Sequence, residues 1–372
     1  MNPFVYSALN RLTSLSTTER AGLFRDEDLL ENIAAGRAGR FDPGGKLSKS
    51  LAKLDWEKCR KEDEALLAQG TRILAWPDPD YPEMLKNLPD PPAALYLAGC
   101  AGALKHPAVA VVGSRLSTVY GQNVARMIGE DLARDGVTVV SGLARGIDAC
   151  AHQGSLKVYG RAAAVIGTGI DVVYPPEHRE LQRKIVQAGG AVVTEFPPGT
   201  PPLPRNFPVR NRIIAGLASA TLVVEATERS GSLVTARCAL ETGRDVFAVP
   251  HNITTRTGVG PNTLIQKGAR LVQRASDILE DMPDSWRGRL APPEPAPAAD
   301  PGGGASPPAG RGAAQVLSAL QPDHPQSIDE LSAATGLPPS RLLALLLELK
   351  ISDKCIELPG MRYALQSARK ED

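Results

Sequence analysis

Arg210, Asn211 and Arg212 stand together in the decamer FPVRNRIIAG at residues 207–216. Two guanidiniums flanking an amide make a dense set of N–H donors. What such a set does best is grip phosphate oxygens. The decamer follows a proline-rich run and opens an apolar, helix-like stretch, with Pro208 suited to a first helical turn, where a missing N–H costs little. A helix start adds unpaired N–H groups and a partial positive charge, which together receive anions. Taken alone, the decamer is equally well explained as a helix cap with an internal ion pair.

Four other turns carry similar chemistry: GSR at 113–115, SGLARG at 141–146, GTG at 167–169 and SGS at 230–232. Each follows an apolar strand-like run or opens the next helix-like segment. Ligands of open α/β sheets bind beyond the carboxyl ends of the strands, near the point where strand order reverses. The turns are therefore expected on one rim, as a phosphate-binding trough. Its residues would be Gly113, Ser114, Arg115, Ser141, Gly142, Arg145, Gly146, Arg210, Asn211, Arg212, Ser230, Gly231 and Ser232. Bare backbone at the glycines, with Gly167 and Gly169, would let a ligand approach closely. Thr235 would add a further hydroxyl.

The elements positioning these turns are legible as an alternation. Strand-like runs at 109–112, 137–140, 162–166, 191–194, 220–225 and 245–249 alternate with helix-like segments at 120–135, 149–158, 178–188 and 233–243. That is the pattern of a parallel sheet covered by helices. Short helices at 263–267 and 275–279 complete the unit. Short strands at 72–76 and 94–98, with a helix near 82–88, lead into it. The expected fold is α/β: an extended Rossmann-like central domain over 71–285 with smaller modules at both ends.

Residues 1–70 read as a helical cap, with apolar positions at helical spacing over 7–15, 19–24, 28–35 and 53–67. The cap could be of the SAM or helix-hairpin-helix type. The Gly-x-Gly hairpin that touches DNA backbones is absent, which favours a structural cap. Residues 286–312 are a Pro/Ala/Gly linker with nothing to bury, so disorder is expected there. Residues 313–372 read as a winged-helix module: a helix at 313–320, a second capped by Ser327, a third opened by Pro338, and two strands around Pro359-Gly360. The third helix carries one arginine and is otherwise leucine-rich. Over 311–372, 7 basic residues face 8 acidic ones. Protein contact or an accessory role fits this module better than reading a duplex.

Several chemistries are excluded or disfavoured. No G-x-x-x-x-G-K-[ST] loop and no G-x-G-x-x-G after residues 109–112 is present. The five histidines lack metal-ligand spacing, so neither cofactor nor metal is expected. Ser141, Asp148 and His152 resemble a triad only superficially, since the last two lie one helical turn apart. Glu195 and Glu225 at strand ends are the acid/base pair of a rival reading, a nucleotide-phosphate hydrolase using the same rim. Apolar runs are too short to span a bilayer, and the first residues lack the pattern of a signal peptide. Five scattered cysteines without a C-x-x-C pair fit reduced thiols in a cytoplasmic protein. The chain has a net charge of +1, yet residues 106–280 hold 19 basic against 14 acidic side chains, 16 of the bases arginine.

The middle of the chain resembles the DNA-processing protein DprA (Smf) family. The resemblance is carried by VVGSR at 111–115, SGLARGIDACAH at 141–152, GTGIDVVYP at 167–175, FPVRNRIIAG at 207–216, ERSGSLVTA at 228–236 and GVGPNTLIQKGA at 258–269. DYPEMLKNLPDPPAALYLAG at 80–99 is similar to the family's entry into that domain. The resemblance implies a Rossmann-like domain that binds single-stranded DNA without known catalysis, protects incoming strands in natural transformation and helps load the RecA recombinase. It also implies a homodimer joined near residues 262–268. Two departures stand out. Pro176 occupies a position that is often basic, where Arg179 could compensate, and His251 replaces a usual glycine. With few aromatics, base stacking would fall on guanidiniums and on Phe207 or Tyr174.

Overall fold

The computed structural model describes residues 3–12, 15–16, 19, 22–23, 27–34, 45–158, 160–290, 311–321, 325–351, 354–358 and 360–365. Most of the linker expected over 286–312 lies outside these residues, as do parts of the N-terminal helices read at 7–15, 19–24 and 28–35. The chain divides into two compact units, Met1–Ala296 and Pro297–Asp372.

The first unit is built on nine strands: β1 (Arg72–Ala75), β2 (Ala94–Gly99), β3 (Ala108–Val112), β4 (Thr138–Ser141), β5 (Ala162–Val165), β6 (Ala191–Thr194), β7 (Ala220–Val223), β8 (Asp245–Ala248) and β9 (Arg270–Leu271). Their order in the sheet is β1-β2-β6-β5-β4-β3-β7-β8-β9. From β6 to β9 every neighbouring pair is parallel, while β1 and β2 add antiparallel pairings at one edge. Strands β3 to β7 are fully buried, which is why they read as unbroken apolar runs and not as alternations. β9 has only two residues, and no run of that length was legible in the sequence.

Strand order runs β3, β4, β5, β6 to one side and then returns to place β7 beside β3. The loops leaving β3 and β7 therefore diverge, and a crevice opens between them at the carboxyl edge. The helices Val119–Arg134 and Ile147–Lys157 pack closely on one face. A Cβ on Gly129 would come 2.5 Å from the Ala151 carbonyl oxygen, so the small residue there lets two backbones touch. Helix Asn206–Leu217 packs on the other face through Ile213, Ile214 and Leu217.

The helices before residue 70 share a core with the sheet. Val5, Tyr6 and Leu9 of helix Pro3–Asn10 join Ile73, Ala94 and Tyr96 in one buried cluster. A polar network fastens the same contact. Asp63, fully buried, accepts from Ser7, from the Tyr96 hydroxyl at 2.9 Å and from Arg11 at 3.0 Å.

The second unit has helices Arg311–Ala319, Ile328–Thr335 and Pro339–Ile351, with strands β10 (Gln326–Ser327), β11 (Cys355–Leu358) and β12 (Arg362–Leu365) in the order β10-β12-β11. This is the winged-helix arrangement. Ser327 and Glu330 form a reciprocal capping box, and Gly336 closes the same helix in the left-handed region at φ 70°. In the third helix Leu342, Leu346 and Leu349 face the core, while Leu343 and Leu347 remain exposed.

Candidate functional site

A cavity of about 780 Å3 occupies the crevice between the loops leaving β3 and β7. Eight of the expected residues line it: Gly113, Ser114, Arg115, Arg210, Asn211, Ser230, Gly231 and Ser232. Gly142 and Arg145 line a small recess that shares Arg115, Tyr174 and Phe207 with the main cavity. Ser141, Gly146 and Arg212 line neither. The loops converge as the strand-end argument requires, but the arginines they bring are in four different states.

Arg115 is exposed and free of ion pairs among the described residues. Its guanidinium carbon sits 5.0 Å from the centre of the Phe207 ring. Tyr174 meets the same ring at 5.6 Å, tilted by 45°. Beneath Phe207 the backbone of Gly167 is bare, since a Cβ there would lie 3.0 Å from the ring. Cation, ring and ring thus form one layered surface at the cavity wall.

Arg210 is buried and turned inward. It donates to the Gly142 carbonyl at 2.9 Å and to the Val165 carbonyl, beside the buried Asp148 carboxylate. Burial pulls its pKa down to about 10; Asp148 opposes that fall, and Arg115 adds to it. The Asp148 carboxyl is raised by burial, against the pull of Arg210 and of the Gly142 and Ala144 N–H groups. Asn211 bridges two elements, donating from Nδ2 to the Gly231 carbonyl at 3.2 Å.

Arg212 faces away from the cavity, although the sequence reading placed it on the ligand rim. Its fork closes on Glu195 at 2.6 and 2.8 Å, and Nε donates to Asp90 Oδ2 at 3.1 Å. Burial disfavours the charge, but Glu195 and Asp90 outweigh it, and the guanidinium holds its proton more tightly than usual. The reason lies in the helix start. The helix begins at Asn206, four residues before Arg210, because Pro208 sits in the first turn where its missing N–H is harmless. Arg210 and Arg212 are therefore in the helix body, two residues apart and on different faces. Arg145, exposed, is paired with Glu177, which raises the arginine and lowers the carboxyl.

The glycines also serve a different purpose from the expected one. A Cβ on Gly142 would lie 2.5 Å from Arg210 Nη2 and 2.7 Å from Asp148 Oδ2, and one on Gly113 would strike Ile147. At Gly146, where φ is 74°, a Cβ would lie 2.3 Å from the Ser114 carbonyl oxygen. These three clear room for the protein itself. At Gly231 a Cβ would meet nothing within 4 Å, so its backbone faces open space.

Ser141 and Glu225 are engaged with neighbouring groups, and His152 is sealed in the core. Ser141, fully buried, donates from Oγ to the Val111 carbonyl at 2.6 Å. Glu225 accepts from the Thr118 N–H at 2.9 Å and from the Thr118 hydroxyl. His152 is wholly buried with neither ring nitrogen hydrogen-bonded, and burial, with His178 and Arg210 nearby, lowers its pKa from 6.5 to about 3. Below pH 6.5 the unfolded chain takes up a proton that the folded chain refuses until about pH 3. Stability should therefore fall by about 1.4 kcal/mol per pH unit across that window. Denaturant titrations at pH 7 and pH 5 on His152→Leu should show a shallower fall than the parent, because the orphan imidazole is gone. An equal fall in both would show that His152 does not carry the effect. Asp148 acts in the opposite sense at lower pH, and comparison with the variant removes its contribution.

Arg256 and Thr257 also line the cavity, and the sequence reading missed them. They lie several residues beyond β8, past the strand-end turns that carry the other expected residues. The only local signal was a lone base in the turn NITTRTG.

Residues 72–283 match the family DNA recombination-mediator protein A, and residues 291–361 match the DprA winged helix domain. The chain is 41% identical over 295 residues to Protein Smf of Escherichia coli, covering 77% of this chain and 76% of that one. It is 44% identical over 204 residues to the DNA processing protein DprA of Streptococcus pneumoniae, covering 55% and 72%. The X-ray structure of DNA processing protein A from Streptococcus pneumoniae superposes with a TM-score of 0.66 at 35% identity, over 76% of this chain and 99% of that one. DNA processing protein A of Helicobacter pylori, described for its single-stranded DNA binding mode, superposes at 0.52 with 26% identity, over 56% and 94%. The chain belongs to the DprA/Smf family of DNA recombination-mediator proteins.

Proposed function

We propose that this protein binds single-stranded DNA in the cavity between the loops of β3 and β7, and acts in DNA processing during natural transformation. The observation that carries the reading is the free guanidinium of Arg115 layered on Phe207 beside Tyr174, at the wall of a cavity floored by helix starts. A positive groove with planar stacking surfaces holds a single strand with little regard to sequence. Of the expected contacts, Arg115, Ser114, Asn211, Ser230, Gly231 and Ser232 are the ones we assign to the strand. Arg210, Gly142 and Gly146 shape the floor, and Arg212 supports it from outside the cavity.

Handing the strand to a RecA recombinase, and pairing as a homodimer near residues 262–268, complete the proposal on the strength of family membership. A role for the winged-helix module in protein contact fits the exposed Leu343 and Leu347 on its third helix. The rival hydrolase would need Glu195 or Glu225 free. Both are bound to neighbours, which weighs against it.

An electrophoretic shift with oligo-dT and with a duplex of equal length, at two salt concentrations, tests the reading. The expected result is preference for the single strand, with affinity falling as salt rises by about 0.7 in log–log slope per phosphate contact. Tighter binding of a nucleoside monophosphate than of the oligonucleotide would overturn it in favour of the enzyme.

A further inference from the structure

Arg256 is exposed at the cavity and has neither ion-pair nor hydrogen-bond partner among the described residues. Its loop is hung on the chain leaving β7, where the Ala226 N–H donates to the Thr257 carbonyl at 2.8 Å. Arg115 stands in the loop after β3, and β3 and β8 flank β7. Two guanidiniums without ion pairs among the described residues therefore line one cavity, from the loops after β3 and β8.

Helix Gly231–Glu241 starts within the same cavity. The Gly231 N–H is its first orphan donor, and Gly231 is exposed. One turn on, Thr235 is 1% exposed, lines the cavity, and its hydroxyl has no hydrogen-bond partner among the described residues. A hydroxyl at the cavity wall with no protein partner is free to hydrogen-bond an incoming phosphate oxygen.

We infer that the β7–β8 side of the cavity is a second phosphate subsite, formed by Arg256, the Thr235 hydroxyl and the Gly231 N–H, while Arg115 holds a neighbouring phosphate. The ligand is then a strand with at least two phosphates, and a mononucleotide fills only half of the site. This deepens the single-strand reading and rests on it.

The test is a length series of 5′-phosphorylated thymidylates, pdT, pdTdT and a tetramer, competed against a labelled oligo-dT. The parent protein should gain about tenfold or more in affinity from pdT to pdTdT, the scale of a charge-assisted phosphate contact. Arg256→Ala should lose most of that gain, with pdT binding changed less than twofold and the thermal midpoint unmoved. Arg256→Lys should keep part of the gain. Thr235→Val preserves the side-chain shape and should reduce the gain several-fold. Variants that keep the full gain, or that weaken pdT and pdTdT by the same factor, overturn the subsite while single-strand binding stands. A parent protein that binds no member of the series overturns both.

Discussion

Arg212→Ala is expected to destabilise the fold by about 3–5 kcal/mol, the cost of removing one partner from a buried ion pair. The guanidinium closes a two-pronged contact on Glu195 and also reaches Asp90, and only about a tenth of its side chain is exposed. Truncation leaves the Glu195 carboxylate in a dry site without its counter-charge. The loss should appear in urea denaturation as a lower midpoint at unchanged slope. Replacing both partners with apolar side chains of similar volume, Arg212→Met with Glu195→Leu, should recover much of it, since the desolvation of both charges is then avoided. A loss below about 1 kcal/mol in the single variant, the value of a surface pair, would show that this contact is not a buried one.

Arg115→Ala is expected to produce the opposite pattern. Its guanidinium is exposed, stacks on Phe207 and forms no ion pair among the described residues, so folding stability should hardly change. Oligonucleotide affinity should fall by the ~1.5–3 kcal/mol of a charge-assisted contact, roughly ten- to a hundredfold. The log–log salt slope should become shallower by about 0.7, one phosphate contact on a single strand. Binding at the parent affinity, with the parent slope, would remove Arg115 from the site. Together the two variants sort the motif arginines by function: one holds the protein together, and the other is free for a ligand.

Local chemistry made much of this protein readable before any coordinates. The apolar runs that became β3 to β8 are continuous because those strands are covered on both faces, and each fell within a residue or two of its expected place. Ser327 announced its helix because a cap and its capping box lie within four residues of each other. The convergence of the turns on one rim also followed, since parallel strands all deliver their carboxyl ends to the same edge.

The fate of each charge was decided only by the tertiary structure. Arg210 spends its donors on a carbonyl 45 residues away, and Arg212 on a carboxylate 17 residues away across the sheet edge. Arg115 and Arg256 carry the same side chain but form no ion pair among the described residues. Residue type and spacing specify the donors and the edge they reach. Whether a donor is already satisfied depends on which distant acceptors packing brings within about 3 Å, and no local pattern encodes that distance.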